Sequence, residues 1–364
     1  MPEPVAGLLK RQPKDTYILY NPAKPASGSI AVPNNLVDQF QLVEGVSVEG
    51  AAQSGRYGAQ LVSIHEICHE TPAGYQHRMP FDHLIAINPT QRFDLSFEGD
   101  TTMRVVDLIA PIARGTRGLI VAPPKVGKTM IIEKLARAIH ASTPKTRIIA
   151  LLIDERPEEV TYFRRQATAE VFASSSDQKV QEHIALCELL LAHIRVELEC
   201  RHDVVVLLDS MTRLVRAFNL KGGGTGRTLS GGVEAGALEI PRRFFGLARN
   251  VEQGGSATII ASMLKDTGSR MDQLIYEEFK STGNSEIVLD RSLAEARIFP
   301  AINLTDTSTR RAEMFYNSEE NKRLTLLRRA LAGRRPAESM TFMLRLLDRF
   351  PTNQELLNSI RLEA

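Results

Sequence analysis

The sequence has no tryptophan, and aromatic residues make up only 6% of it. A broad aromatic stacking surface is therefore excluded. Its three cysteines, Cys68, Cys187 and Cys200, are odd in number and form no CxxC pair. That argues against a disulfide framework and for a reducing, cytoplasmic setting. No apolar run approaches the roughly 20 residues of a membrane span. The opening stretch, MPEPVAGLLKRQPKD, has the pattern of neither a signal nor a transit peptide. No membrane partner is expected. Net charge is only +2, but it is uneven, with −4 on residues 1–100 and +6 on the remainder. A polyanion should therefore be held by local groups in the C-terminal part.

What is present is an ordinary globular composition, 43% hydrophobic and 24% charged, in 364 residues. That length allows two or three domains. Residues 1–72 hold short β-like runs: TYILY (16–20), GSIAV (28–32), VSVEG (46–50) and AQLVSIHEI (59–67). Pro, Asn and Gly separate them, which predicts a small β-barrel of about four or five strands. Residues 73–100 are mixed and polar and read as a linker. From 101 to 364 apolar runs of strand length alternate with amphipathic stretches. The runs are GLIVA (118–122), IIALLID (148–154), VVVLLD (204–209), ATIIASML (257–264) and EIVLD (286–290). Unbroken apolar runs indicate strands buried on both faces. Between them, KTMIIEKLARAIHA (128–141) and KVQEHIALCELLLAHIRVEL (179–198) read as helices. The alternation predicts an α/β domain with a mostly parallel sheet. There is no internal repeat.

Residues 121–136 read VAPPKVGKTMIIEKLA. Strand, loop and helix are the context that the phosphate-binding pattern GxxxxGK[ST] requires. The first glycine of that pattern is Ala122 here, which matters only if the position needs a positive φ. Gly127 lets the backbone approach phosphates, and the N–H groups and dipole of the helix start suit an anion. Lys128 should reach the β and γ phosphates, and the Thr129 hydroxyl should bind Mg²⁺. ATP and Mg²⁺ are the expected ligands. Asp209 ends VVVLLD, where a Mg²⁺-organising carboxylate sits. Asp154-Glu155 ends IIALLID. Ligands of parallel sheets bind at the carboxyl ends of strands, so Lys128, Glu155 and Asp209 should share one edge. Glu155 is the candidate for orienting or deprotonating the attacking water. The alternative is a helix-initiating acid at the start of PEEV.

Two loops suggest a nucleic-acid track. LKGGGTGRTLSGG (220–232) is rich in glycine, and Lys221 and Arg227 are its only charges. LKDTGSRMD (264–272) offers Lys265, Arg270 and the turn formers Thr267, Gly268 and Ser269. One motif is a decoy. His65-Glu66-Ile67-Cys68-His69 fits the zinc-protease pattern HExxH, but that chemistry needs a helix. The segment alternates like a strand and enters Thr71-Pro72, so an ordinary barrel strand is expected.

The longer strings GLIVAPPKVGKT, LLIDERPEEVT, LLDSMTRLVRAFN, SGGVEAGAL, PRRFFGLARNVEQGGSATIIA, DTGSRMDQLIYEEFKSTGN and AEARIFPAINLTDTSTRR together resemble the bacterial transcription termination factor Rho family. The resemblance runs from about 103 to 316 and is weaker towards the C-terminus. It implies a RecA-like ATPase, a homo-hexameric ring with ATP between subunits, and single-stranded RNA through the centre. RNA polymerase is a further partner by the same likeness. The family also writes alanine at the position of Ala122. The resemblance assigns nucleotide binding to Lys125, Val126, Gly127, Lys128, Thr129 and Met130, with Phe299 stacking on adenine. Glu155 becomes the catalytic carboxylate and Asp209 the second acid, with Arg213 near the γ-phosphate. Arg310 matches an arginine finger lent to a neighbour, and Arg297 a second interface arginine. Lys221 to Gly232 matches one pore loop and Thr267 to Arg270 the other, with Arg270 where lysine is usual.

The first 72 residues depart from that family. The helical domain that usually precedes its barrel has no counterpart in this sequence. The base-stacking strand is written Asp15-Thr-Tyr-Ile-Leu-Tyr20 without its phenylalanine pair, and Ala31 stands where an aromatic is common. Tyr57, beside Arg56, keeps one stacking position. Stacking is worth roughly 1–3 kcal/mol per base, so single-strand capture by the barrel should be weakened. The sequence thus points to an ATP-dependent, RNA-stimulated translocase and helicase acting in transcription termination. The alternative is a nucleotide-binding, non-motor regulator that works through its altered barrel. A third branch, a rotary ATP synthase or flagellar export subunit, is disfavoured by the two pore-loop sequences.

Overall fold

The structure, a computed structural model, describes residues 2–55, 58–222 and 230–362. Tyr57, Arg56 and Arg227 lie outside the described residues. The N-terminal part is a closed barrel in the order β1-β2-β3-β5-β4. Its strands are β1 (Glu3–Gln12), β2 (Thr16–Tyr20), β3 (Ser29–Val32), β4 (Ser47–Gly55) and β5 (Gly58–Ile67). The expected runs match β2 to β5. Strand β1 is additional: EPVAGLLKRQ contains Pro4 and Gly7 and lacks alternation, so its pairing comes from β2 and β4 on either side. Leu9, Leu19, Val48, Leu61 and Ile67 fill the barrel.

The second sheet holds β6 (Ala86–Ile87), β7 (Arg117–Ala122), β8 (Arg147–Glu155), β9 (Glu170–Ser175), β10 (Asp203–Asp209), β11 (Arg249–Val251), β12 (Ser256–Leu264), β13 (Ser285–Val288) and β14 (Ser308–Thr309). Its main path is β14-β13-β7-β12-β10-β8-β9. All pairings from β13 to β9 are parallel, as the alternation required. Along β8, Ile148, Ala150 and Leu152 enter one core, while Ile149, Leu151 and Ile153 enter another. Burial on both faces is why these strands read as unbroken apolar runs. The edge strand β9 escapes a reading by apolar runs because EVFASS is half polar.

Helix Lys128–Ser142 packs Ile131, Leu135 and Ile139 onto one face of the sheet. Helix Val180–Glu199 covers the other with Ile184, Leu190 and Ile194. It also meets the barrel: Val196 joins the barrel core, and the His193 ring lies 2.7 Å from the Gly45 carbonyl oxygen. The 73–100 stretch is tied down at several points, Arg92 to Asp107 at 2.6 Å among them. Arg78 pairs with Glu199 at 3.2 Å, and β6 pairs with β11 at the sheet's margin. Among the described residues, no helix is long and apolar enough to cross a membrane.

Candidate active site

Strand order places the site. Consecutive strands β7, β12, β10 and β8 end on one edge of the sheet, bringing Lys128, Ser262, Asp209 and Glu155 together. Ala122 pairs with Leu264 as the last residue of β7 and is fully buried, with no positive φ. The position therefore needs no glycine. Lys125, with φ of 66°, and Gly127, with φ of 94°, make the turn into the helix. Val126 is buried beneath them, and Lys125 and Met130 are exposed. Gly127 precedes Lys128 without any side-chain cap, so the first N–H groups of the helix remain available. A Cβ added at Gly127 would meet nothing within 4 Å. Uncapped donors over open space fit a phosphate chain.

The charged groups are interlocked. Lys128 Nζ hydrogen-bonds to Asp209 and lies 3.8 Å from Glu155 Oε1. Asp209 Oδ1 also accepts from Ser262 Oγ at 2.8 Å. Glu155 is buried, and Arg213 Nε approaches its Oε1 at 3.3 Å. Burial, then the neighbouring Asp209 charge, pushes the Glu155 carboxyl up from its ordinary value to about 7. Lys128 and Arg213 act against that rise. A register shift between Ile153 and Glu155, with Asp154 at φ 56°, sets the Glu155 direction. The bulge adds one residue, so Glu155 faces the side of Lys128 and not that of Ile153. Helix Met211–Lys221 starts after Ser210, whose side chain caps Arg213 N–H. The Arg213 guanidinium reaches back to the Asp154 backbone and to Asp154 Oδ2 at 3.3 Å. Thr129 is half-buried at the second helical position, on the same edge.

The segment after β13 returns to this edge, with Asp290 N–H donating to the Ala301 carbonyl at 2.8 Å. It carries Arg297, exposed, and Phe299, which is 52% exposed. An aromatic left half in solvent beside a phosphate-binding edge is available to a base. Arg310 sits elsewhere. Ser285 is level with Gly118 and with Thr309. Asn284 accepts from Arg310 N–H at 2.7 Å and donates to the Arg117 carbonyl at 2.9 Å. Arg310 is therefore level with Arg117, at the start of β7. Five residues of strand, about 17 Å at about 3.3 Å each, separate that level from Ala122. Exposed Arg310 and Arg311, with Arg117, Arg242 and Arg249, line a cavity of about 900 Å³ on this far edge.

The two expected nucleic-acid loops meet. Lys221 ends its helix 4.0 Å from Glu188 and is exposed. Downstream, Gly231, with φ of 79°, packs against the backbone of Arg270, where a Cβ would come within 3.0 Å. Thr267 Oγ1 donates to Asp272 Oδ2 at 2.6 Å, and Ser269 caps helix Arg270–Thr282. Buried Asp272 is also held by the Arg216 fork at 2.6 and 2.7 Å. Thr267 and Ser269 thus brace the loop, while Gly268 and Arg270 are exposed on it. In the barrel, Tyr20 packs partly against the ATPase-side core and Tyr17 against the barrel core. The HExxH segment is strand β5 and the turn after it, as expected.

Sequence reading missed Ser262, Arg216 and Asp272. Ser262 left a signal, as one of two polar residues, with Thr258, in the apolar run ATIIASML. Arg216 and Asp272 are 56 positions apart and left none.

Comparison with known proteins agrees with this geometry. Residues 102–309 match the ATP synthase alpha/beta family, nucleotide-binding domain. The chain is 43% identical over 339 residues to a transcription termination factor Rho from Chromobacterium violaceum, covering 91% of this chain and 81% of that one. It is 43% identical over 359 residues to the Aquifex aeolicus Rho, covering 96% and 81%. The chain belongs to the Rho family. A further Rho, from Streptosporangium roseum, is 42% identical over 99% of this chain and 92% of its own length. Among solved structures, an ATPase of a bacterial type III secretion system superposes with a TM-score of 0.63 at 22% identity, over 76% of this chain and 86% of that one. That likeness shows the RecA-like fold alone.

Proposed function

We propose that the chain is an RNA-stimulated ATPase that moves along single-stranded RNA and acts in transcription termination as a hexameric ring. The observation that carries this reading is the split of charge between the two sheet edges. One edge holds the phosphate loop with Glu155 and Asp209. The other carries Arg310, about 17 Å of strand away. A chain cannot close its own site with that arginine, whereas head-to-tail packing in a ring lets each subunit complete the next.

In the proposed pocket the uncapped N–H groups from Val126 to Met130 and the Lys128 ammonium hold the β and γ phosphates. Lys125 adds charge at the rim, and Phe299 stacks on the base with Arg297 beside it. Mg²⁺, bound through Thr129 and facing Asp209, would neutralise charge on those phosphates. Nucleotide entry draws Lys128 away from Asp209 and frees that carboxylate. Glu155, as the carboxylate, then orients the attacking water and takes its proton. Arg213 holds Glu155 in place. A neighbour's Arg310 neutralises charge developing on the transferred phosphoryl group and makes hydrolysis depend on ring closure.

The loop from Thr267 to Arg270 follows the carboxyl end of β12, beside the nucleotide edge, and Gly231 packs against the Arg270 backbone. That proximity supports coupling between hydrolysis and RNA contact. The test is ATP hydrolysis by the purified chain with Mg²⁺ and poly(C) or poly(U). RNA should stimulate it, and Lys128→Ala should abolish it. Stimulation no greater than in that control would overturn the motor reading and favour a nucleotide-binding regulator.

A further inference from the structure

A second set of reactive side chains meets where the barrel packs on helix Val180–Glu199. Cys68 directly follows β5 and is fully buried. Its Sγ lies 3.6 Å from Glu197 Oε1 and 4.0 Å from His202 Nδ1. His202 Nδ1 is 2.9 Å from Glu197 Oε2. The Cys200 thiol lies beside that of Cys68, in electrostatic contact with it, with His202 and with Glu197. None of these groups takes part in the nucleotide or RNA chemistry above.

We propose that Cys68, Glu197 and His202, with the Cys200 thiol beside Cys68, form a binding site for a thiophilic divalent cation, with Zn²⁺ the ion that fits. A tetrahedral zinc with bonds of about 2.3 Å to sulfur and about 2.0–2.2 Å to nitrogen and oxygen spaces its ligand atoms about 3.3–3.8 Å apart. The separations of 3.6 Å from Cys68 to Glu197 Oε1 and 4.0 Å from Cys68 to His202 lie close to that spacing, and one ligand atom from each of Cys68, Glu197 and His202 lies within 4.8 Å of the others. Two sulfurs, one imidazole and one carboxylate suit zinc better than a hard, oxygen-seeking cation.

The surroundings are those of a metal centre. A ligating histidine donates its other N–H to a carboxylate or carbonyl. With Nδ1 turned to the metal, His202 Nε2 faces Glu70 Oε1 at 3.7 Å. Ligating carboxylates are themselves hydrogen-bonded, and Arg147 holds Glu197 Oε1 at 2.8 Å. The Cys68 and Glu197 side chains are almost wholly buried, while that of His202 keeps 24% exposure and leaves a way in. A metal-free network of Arg147, Glu197 and His202 would account for those three, but not for two thiols set against a buried carboxylate. Cys187 shows the contrast, lying fully buried in the apolar core.

The ion would join two parts of the chain. Cys68 and the outer Glu70 come from the barrel, and the other ligands come from the end of the ATPase helix. Within the HExxH segment it is the inner Cys68 that is used, while His65 and His69 are exposed.

The experiment uses the full chain without a histidine tag, purified with a thiol reductant and no chelator. Zinc is measured per chain after dialysis, and Co²⁺ is exchanged in for spectroscopy. About one zinc per chain is expected, together with a thiolate-to-cobalt charge-transfer band and intense tetrahedral d–d bands. Cys68→Ser and Cys200→Ser should lose the metal, and Cys187→Ser should keep it. Glu70→Gln should weaken zinc affinity about tenfold. A cobalt spectrum without thiolate charge transfer overturns the proposal, and so does equal zinc in all variants. So does thiol counting, after the reductant is removed without air, that finds Cys68 and Cys200 joined to each other. Should the cysteine variants fail to fold, the cobalt spectrum of the unaltered chain still decides.

Discussion

If Arg310 serves a neighbour's nucleotide, two inactive variants should repair one another. Glu155→Gln removes the carboxylate but keeps its shape and relieves the crowding with Asp209, so it should fold. Arg310 is exposed, and its replacement by alanine should change stability by no more than about 0.5 kcal/mol. Alone, Arg310→Ala should lower the hydrolysis rate roughly 10³-fold or more, the usual worth of such an arginine. Glu155→Gln alone should lower it roughly 10²–10⁴-fold. In rings assembled from equal amounts, about a quarter of the interfaces pair an intact Glu155 with an intact Arg310 from the next subunit. The mixture should then reach about a quarter of the unaltered activity, at least roughly 25-fold above Glu155→Gln alone. The assay is RNA-stimulated phosphate release across mixing ratios, with mixed assembly checked by native mass spectrometry. Mixed rings that stay as inactive as their parents would refute the trans arrangement.

The Glu155 carboxyl, raised to about 7, should give kcat/KM for Mg-ATP a rise as pH increases through about 7, since only the carboxylate accepts a proton. A profile flat from pH 6 to 8 (roughly the window on either side) would count against Glu155 as the base. The same raised value means the folded chain holds this proton where the unfolded chain has released it. Stability relative to Glu155→Gln should therefore fall as pH rises from the ordinary carboxyl range to about 7 and then level off, measured by ligand-free thermal melts. Arg270→Ala should weaken RNA binding and reduce the slope of log affinity against log salt by about 1, as for loss of one phosphate contact; an unchanged slope would remove Arg270 from the RNA path. Buried Arg104 donates to the carbonyls of Leu347 and Phe350 and to Asn353. Arg104→Ala should cost about 3 kcal/mol in urea unfolding because it leaves buried acceptors unpaired.

Much of the ATPase sheet was legible because a strand buried on both faces must be apolar throughout. GLIVA, VVVLLD and ATIIASML could hardly be anything else at that length. The barrel was harder, since its strands are short and half-exposed. Strand β1 carries Pro4 and Gly7 and has no pattern of its own, and only pairing to β2 and β4 makes it a strand. Edge strand β9 was missed for a related reason: with only one sheet neighbour, EVFASS need not be apolar throughout. The phosphate loop could be read directly, because its residues are contiguous and their chemistry depends on local backbone. Even the alanine at 122 raised a question that its ordinary strand conformation answers.

Contacts between distant residues follow different logic. Arg216 and Asp272 brace a loop across 56 positions, and Cys68 meets His202 across 134. No local pattern encodes either pair, because the sheet order, not the chain order, makes them neighbours. The Glu155 direction depends on a one-residue bulge at Asp154. In an unbulged strand Glu155 would share the face of Ile153, away from Lys128. Arg310 carries the point furthest. In sequence it is one arginine in a polar stretch. In the fold it stands on the sheet edge opposite Lys128, where an arginine cannot act on its own chain's phosphates. In the proposed ring, the same geometry that removes it from one site makes it available to the next, so the role proposed for it is a property of the assembly and not of the single chain.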